Sequence, residues 1–153
     1  MKTRRGLAVA CAVLLALLTA CGTVTLRRAD EAEEIYEPLV ADVRSAVNSS
    51  VGTLIWDDSS GEPRPQRVDG RCAMSATVIG QLGALPADTA PLLNAVNAAL
   101  TRHQFPAQSA FGKDSDGTLT LTSTDSHGAT LTVRALTTMT ISVMIPARPG
   151  ECH

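Results

Sequence analysis

Side chains that could act as nucleophiles, bases or metal ligands are few in this chain. Its 153 residues include three histidines and four cysteines: His103, His127, His153, Cys11, Cys21, Cys72 and Cys152. Nucleophilic hydrolysis needs a nucleophile, a base and a group that orients the base, and the Gly-x-Ser-x-Gly elbow is missing from the sequence. His103 follows a predicted helix and His127 lies in a predicted turn, so we expect both at the surface and assign no catalytic residue.

Acidic residues likewise lack the spacing of a metal or glycosidase site. Asp114-Ser115-Asp116-Gly117 resembles the start of a calcium loop, but the fifth and seventh positions, Thr118 and Thr120, belong to a strand pattern. A turn before a strand is the simpler interpretation. The acidic run from Asp30 to Glu37 is typical of an exposed helix start. We therefore predict no metal and no cofactor.

The first twenty residues have the composition of an export signal. Lys2, Arg4 and Arg5 are its charged residues, and residues 7–18 are all apolar. Twelve helical residues span about 18 Å, short of the roughly 30 Å hydrocarbon core of a bilayer. We therefore predict a cleaved signal peptide over residues 1–20, with a short permanent membrane anchor as the alternative.

The tetrapeptide Leu18-Thr19-Ala20-Cys21 resembles the lipobox of bacterial lipoprotein precursors. The resemblance implies cleavage just before Cys21 and a diacylglycerol on its sulfur, with fatty acids such as palmitate. It also implies a location on the extracytoplasmic face of the cell membrane. Each buried CH₂ of such a lipid contributes about 0.8 kcal/mol to membrane binding.

Removal of residues 1–20 changes the charge of the chain. It takes away three of the 13 cations and none of the 15 acids, which leaves a net charge of −5. Such a chain should not adhere to anionic headgroups by charge, with Arg27 and Arg28, close to the anchor, as the exception. The negative charge and a total of four aromatic residues also argue against binding nucleic acid.

Two cysteines remain after export and acylation. Cys72 and Cys152 would lie in an oxidising compartment, so we predict that they form a disulfide. The bond would close a loop of about 80 residues and contribute very roughly 4 kcal/mol in the chain-entropy model. A metal or reactive thiol pair is the alternative, although only the terminal His153 neighbours either cysteine.

Apolar periodicity predicts one α+β domain over residues 30–153, after a flexible lipidated tether of residues 21–29. A first helix is indicated by an apolar face at helical spacing, formed by Ile35, Leu39, Val43, Ala46 and Val47. Pro38 lies either in the first turn or at a kink of that helix. A second helix begins at Asp88 or Thr89 and buries Leu92, Leu93, Val96, Ala99 and Leu100.

Alternating apolar and hydroxyl residues predict the strands. One strand covers residues 72–78, and three follow around 119–122, 130–134 and 138–145, each with a Thr-rich side. Residues 51–55 are a candidate short strand and residues 57–70 a loop. We therefore predict two helices on one face of a roughly four-stranded, mainly antiparallel sheet, in the order helix, strand, helix, three-strand meander. The Thr-rich face would then be exposed.

The globular part also resembles small actinobacterial lipoproteins of unknown function. The resemblance rests on Asp69-Gly70-Arg71-Cys72 before a strand, on the hairpin that opens at residues 125–131, and on Cys152 after the last strand. Eleven arginines against two lysines are typical of a high-GC genome. The resemblance implies an envelope location and a disulfide, and it implies no catalytic residues.

Trp56, Arg64 and Arg67 are the candidate partner contacts. Trp and Arg often anchor interfaces, although a lone Trp also commonly packs at the edge of a core. We expect a lipid-anchored, non-enzymatic interaction or sensor module that binds an unknown envelope protein or glycan. One alternative is a carrier of a small apolar or lipid ligand, which needs a cavity of about 300 Å³ or more between sheet and helices. An envelope hydrolase is the other alternative.

Overall fold

A computed structural model describes residues 24–57 and 63–152 of the chain. The predictions for residues 1–20, Cys21 and His153 therefore lie outside the described residues. The elements, in chain order, are helix α1 (Ala29–Val51), strands β1 (Trp56–Asp57), β2 (Arg64–Val68) and β3 (Arg71–Gln81), helix α2 (Ala90–Arg102), strands β4 (Gly112–Lys113), β5 (Leu119–Thr124), β6 (Thr130–Ala135) and β7 (Thr138–Pro146), and a 3₁₀ turn (Pro149–Glu151).

The seven strands form one antiparallel sheet. Their order is β1-β3-β7-β6-β5-β4, and β2 pairs with β3 along the same edge as β1. The α+β class with two helices is confirmed, whereas the count of four strands is wrong. Three edge strands were missed, because β1 and β4 have two residues each and β2 is exposed along most of its length.

Strand β2 lies in the segment predicted to be a loop. It pairs with β3 through the two-residue turn Asp69-Gly70, whose φ angles are +48° and +76°. Positive φ at both positions is the geometry of a type I′ hairpin, which Asp-Gly favours. Residues 51–55 are not a strand: Val51 ends α1 and the chain then leads into β1.

Helix α1 starts well before Pro38 and runs through it, so the proline is not in the first turn. Both helices bury their predicted apolar faces against one face of the sheet, which we call the covered face. Its side chains are almost fully buried: Leu121, Leu131, Val133, Met139, Ile141, Val143 and Ile145. The alternate residues of the same strands form the other face, which we call the open face.

Candidate functional site

Hydroxyl side chains dominate most of the open face. Cross-strand register places Thr77, Ser142, Thr132 and Thr122 in one row across β3, β7, β6 and β5. Hydroxyl oxygens lie 3.0 Å apart in the pair Thr77–Ser142 and 3.3 Å apart in the pair Thr122–Thr132. These side chains are half-buried or exposed, so the predicted Thr-rich face is accessible.

One end of the open face is apolar instead. A groove of about 810 Å³ lies there, lined mainly by aliphatic and small side chains: Val24, Leu26, Val68, Ala73, Met144 and Pro146. Its walls come from the N-terminal segment, the β2–β3 hairpin and the end of β7. We call this feature the groove.

The N-terminal segment, residues 24–28, forms one wall of the groove. The Arg27 N–H donates to the Pro146 carbonyl at 3.0 Å, and the Arg148 N–H donates to the Arg27 carbonyl at 2.9 Å. Arg27 thereby forms a parallel bridge with Ala147 just beyond the end of β7. Residues 24–28, which were predicted to belong to a flexible tether, are therefore joined to the sheet by backbone hydrogen bonds.

The turn between β5 and β6 holds the same segment from its other side. The Thr25 N–H donates to the His127 carbonyl at 3.1 Å, and the Thr25 hydroxyl lies 3.2 Å from His127 Nδ1. Gly128 has φ +88°, and a Cβ there would lie 3.2 Å from Val24 Cγ1. The turn thus needs glycine both for its conformation and for the approach of Val24.

The predicted disulfide joins Cys72 and Cys152 beside the groove. Their Cα atoms are 5.8 Å apart, within the range of a disulfide, and the bond spans a sequence separation of 80. The Arg67 guanidinium donates to the Cys152 carbonyl at 3.1 Å. The C-terminus is therefore fastened to the β2–β3 hairpin by a covalent bond and a hydrogen bond.

The three predicted partner contacts do not form one patch. Trp56, Arg64 and Arg67 pair with Gly80, Ser75 and Cys72 of β3. At about 3.4 Å per residue, the two arginines lie roughly 17 and 27 Å from Trp56 along the strand. Since Gly80 and Ser75 point to opposite faces, Trp56 also faces away from Arg64.

Trp56 packs at the edge of the core, the alternative role considered for it. Its Nε1 donates to Asn48 Oδ1 at 3.1 Å, and the Arg44 guanidinium lies 5.1 Å from the ring centroid. Gly80 lies beneath the ring, where a Cβ would come within 3.0 Å of it. Arg67, in contrast, lines the groove, a site that its position in the sequence did not reveal.

His103, Asp42 and Asp116 have structural partners. His103 Nε2 lies 2.9 Å from Asp42 Oδ2 and is half-buried rather than exposed as predicted; Arg102 reaches the same oxygen at 3.2 Å. These two contacts to Asp42 connect the end of α2 to α1. The Thr118 N–H donates to Asp116 at 2.9 Å and lowers the pKa of that carboxyl, as in a turn before a strand. Within the described ranges, no three His, Cys, Asp or Glu side chains are grouped to hold a metal ion.

Comparisons with known proteins show a shared fold. No protein-family model and no curated protein matches the sequence. A solved structure of LppA, a proposed lipoprotein of Mycobacterium tuberculosis, has a TM-score of 0.53 at 11% identity, over 78% of this chain and 77% of LppA. A DUF4853 family protein from Actinomyces odontolyticus has a TM-score of 0.49 at 16% identity, over 76% of this chain and 67% of its own.

The likeness to LppA confirms the predicted resemblance to actinobacterial lipoproteins at the level of the fold. In the part of the chain that the structure describes, no helix is both long enough and apolar enough to cross a membrane.

Proposed function

We propose that this chain is a lipid-anchored protein of the cell envelope, exported by residues 1–20 and acylated at Cys21 on the extracytoplasmic side. Three observations support the anchor: the sequence Leu18-Thr19-Ala20-Cys21, the fold shared with LppA, and a disulfide of the kind that persists in oxidising compartments. The domain would then be held close to the membrane by its N-terminus.

Within the envelope, the domain acts by binding a partner rather than by catalysis, and the open face is its binding surface. The observation that carries this proposal is the hydroxyl row across β3, β7, β6 and β5, which both described helices leave uncovered. Cross-strand hydrogen bonds hold these side chains in order, so little conformational entropy is lost when a partner covers them.

An envelope protein suits the open face better than a glycan does. All four aromatic side chains belong to the core or pack against it: Tyr36, Trp56, Phe105 and Phe111. The hydroxyl row therefore offers hydrogen bonds without a ring on which a sugar could stack. Arg64 and Arg134 lie on this face and supply anchors for a protein partner.

Photo-crosslinking in intact cells tests the binding surface. A photoreactive residue in place of Thr132, in the hydroxyl row, should form a discrete protein adduct. The same residue in place of Glu33, exposed on α1, is the matched control and should form none. An adduct that disappears when cell-wall glycan is digested would indicate a glycan, and equal adducts from both positions would reject the open face as the binding surface.

A carrier of a small apolar ligand is the second candidate function. Buried side chains of the helices and the covered face occupy the space between sheet and helices, where a carrier would need its cavity. The groove, at about 810 Å³, is large enough for such a ligand but lies on the open face. Native mass spectrometry of the purified protein, before and after solvent extraction, would reveal a carried ligand as a lost mass.

An envelope hydrolase has the least support. The His103 imidazole is engaged by Asp42, and the His127 ring meets the Thr25 hydroxyl at the exposed surface. Asp125, beside His127, accepts the backbone N–H groups of His127 and Ala129 instead of orienting the ring. The triad relationship of nucleophile, base and orienting acid is therefore not formed by these residues.

A further inference from the structure

The groove lies next to the proposed lipid anchor. Val24 lines the groove and is only three residues after Cys21. Because an extended residue spans at most about 3.5 Å, Cys21 lies within roughly 11 Å of Val24. A lipid on Cys21 would therefore hold the groove within about one or two headgroup layers of the hydrocarbon core.

Apolar side chains at this end of the domain are exposed. Val24 and Leu26 leave 53% and 47% of their surface accessible, and both line the groove beside Met144 and Pro146. Ile55 and Leu136 are the other large exposed hydrophobic residues of the described chain, and neither lines the groove. A contiguous apolar patch of this kind marks a contact surface.

Positive charge gathers at the same end. Arg67 and Arg71 line the groove together with one acid, Asp69. Arg27 and Arg148 are joined by a backbone hydrogen bond of 2.9 Å just beside it, and Glu151 follows in the 3₁₀ turn. These four arginines and two acids contrast with the net charge of −5 of the whole mature chain.

Arg28 adds little to this charge. It forms an ion pair with Asp30 at 3.3 Å, and its backbone N–H donates to Glu31 at 3.0 Å. Besides Arg27, which was expected near the headgroups together with Arg28, this end of the domain presents arginines of the β2–β3 hairpin and the C-terminal segment.

We propose that the groove end of the domain docks on the surface of an anionic phospholipid bilayer, an inference that rests on the proposed acylation of Cys21. Val24 and Leu26 enter the interfacial layer, and the exposed Arg71 and Arg148 bind headgroup phosphates with charge-assisted hydrogen bonds. Docking fixes the orientation of the domain. It sets the far end of β3, with Trp56, away from the membrane.

Tryptophan quenching tests this orientation on the full lipoprotein. The protein, purified with its lipid, is reconstituted in vesicles of equal parts phosphatidylglycerol and phosphatidylcholine with brominated acyl chains, which quench nearby tryptophans. Leu26→Trp and Leu136→Trp, each combined with Trp56→Phe, place matched reporters at half-exposed leucines near opposite ends of β6. We expect quenching of the first reporter and little of the second, which lies roughly 20 Å further along the strand.

Charge variants test the headgroup contact. Arg71→Gln with Arg148→Gln should lower the ratio of docked to undocked domain by about fivefold for each arginine removed. The effect should occur on the anionic vesicles and not on pure phosphatidylcholine. Arg102→Gln with Lys113→Gln, which removes two exposed cations outside the groove and the open face, is the matched control.

The outcomes separate the two proposals. If the intact mass shows the lipid on Cys21 but both reporters are quenched equally, or neither is, the docking proposal fails and the anchor stands. If the Leu26→Trp reporter is not quenched until a bound ligand has been extracted with solvent, the groove holds a carried molecule instead of docking on the bilayer. An intact mass without acyl chains would overturn the anchor and, with it, this inference.

Discussion

The two faces of the sheet use the same strands for different purposes. In β6, Leu131 and Val133 are fully buried under the helices, whereas Thr130 and Thr132, which alternate with them, reach the open face. Each strand thus places its stabilising groups on one side and its accessible hydroxyls on the other, as expected for an antiparallel sheet with one covered face.

This difference separates stability from recognition. The covered face is filled by closely packed aliphatic side chains, so any change there alters the core. The open face carries polar contacts between exposed or half-buried side chains, together with the groove, so its residues can change at less cost to the fold than those of the core. Variants of the covered face should therefore lower the free energy of unfolding, whereas variants of the open face should change the binding of the partner.

Loss of the disulfide should have the largest effect on stability. Cys72 starts the covered side of β3, and its bond to Cys152 closes a loop with a sequence separation of 80. The variant Cys72→Ala with Cys152→Ala should lose about 4 kcal/mol of unfolding free energy, because the unfolded chain gains loop entropy. Urea unfolding measures the loss, and the reduced native protein should match the variant. A loss below about 1 kcal/mol would show that the covered face is stable without this bond.

Adjacent residues of β6 give the most direct contrast between the faces. Leu131→Ala should cost about 3 kcal/mol, because it leaves a cavity in the packed core. Thr132→Ala, one residue further along the strand, should change stability by about 0.5 kcal/mol or less. Chemical denaturation of both variants measures the difference. Similar losses would mean that Thr132 also contributes to the packing of the core.

Gly80 tests the edge of the covered face. A Cβ there would lie 3.0 Å from the Trp56 ring and 3.1 Å from Leu54 Cδ1, so Gly80→Val must displace the indole. We expect a loss of about 2 kcal/mol and a shift of tryptophan emission to longer wavelength as Trp56 becomes more exposed. Gly112→Val, on the exposed edge strand β4, is the control and should leave the emission unchanged. An unshifted emission for Gly80→Val would contradict this packing.

The smallest expected effect concerns Asp116, away from both faces. The Thr118 N–H lowers the pKa of this carboxyl below its ordinary value of 3.8. A lowered pKa in the folded state adds stability that is present above pH 3.8 and is lost as the pH falls through the folded pKa. Asp116→Asn should therefore reduce the free energy of unfolding slightly at neutral pH but not in strong acid. The control Ser115→Ala should show no such pH dependence. A pH series of unfolding free energies would detect the difference, and an identical profile for Asp116→Asn would reject it.

Elements with a strong hydrophobic period were predictable from the sequence. The buried faces of α1 and α2 and the alternation of β5, β6 and β7 follow directly from the spacing of their apolar residues. The pairing of Cys72 with Cys152 followed from compartment and elimination. These inferences succeeded because each depends on local pattern or simple count.

The missed features depend on contacts between distant segments. Strand β2 contains Arg64, Pro65 and Arg67 at a sheet edge, where proline is tolerated and no apolar alternation is required. Its signal was the dipeptide Asp69-Gly70, a strong indicator of a hairpin. The groove combines residues from four separate segments, and only the alternation of Val24 and Leu26 in the supposed tether hinted at it.

Acyl labelling at Cys21 tests the central claim of a lipid-anchored protein most directly. Cells that express the protein are grown with a radiolabelled fatty acid, and the label on the purified chain is measured. The native protein and Cys11→Ala, the control within the signal segment, should both carry the label, and Cys21→Ala should carry none. Label that persists on Cys21→Ala, or that is missing from the native protein, would contradict the anchor.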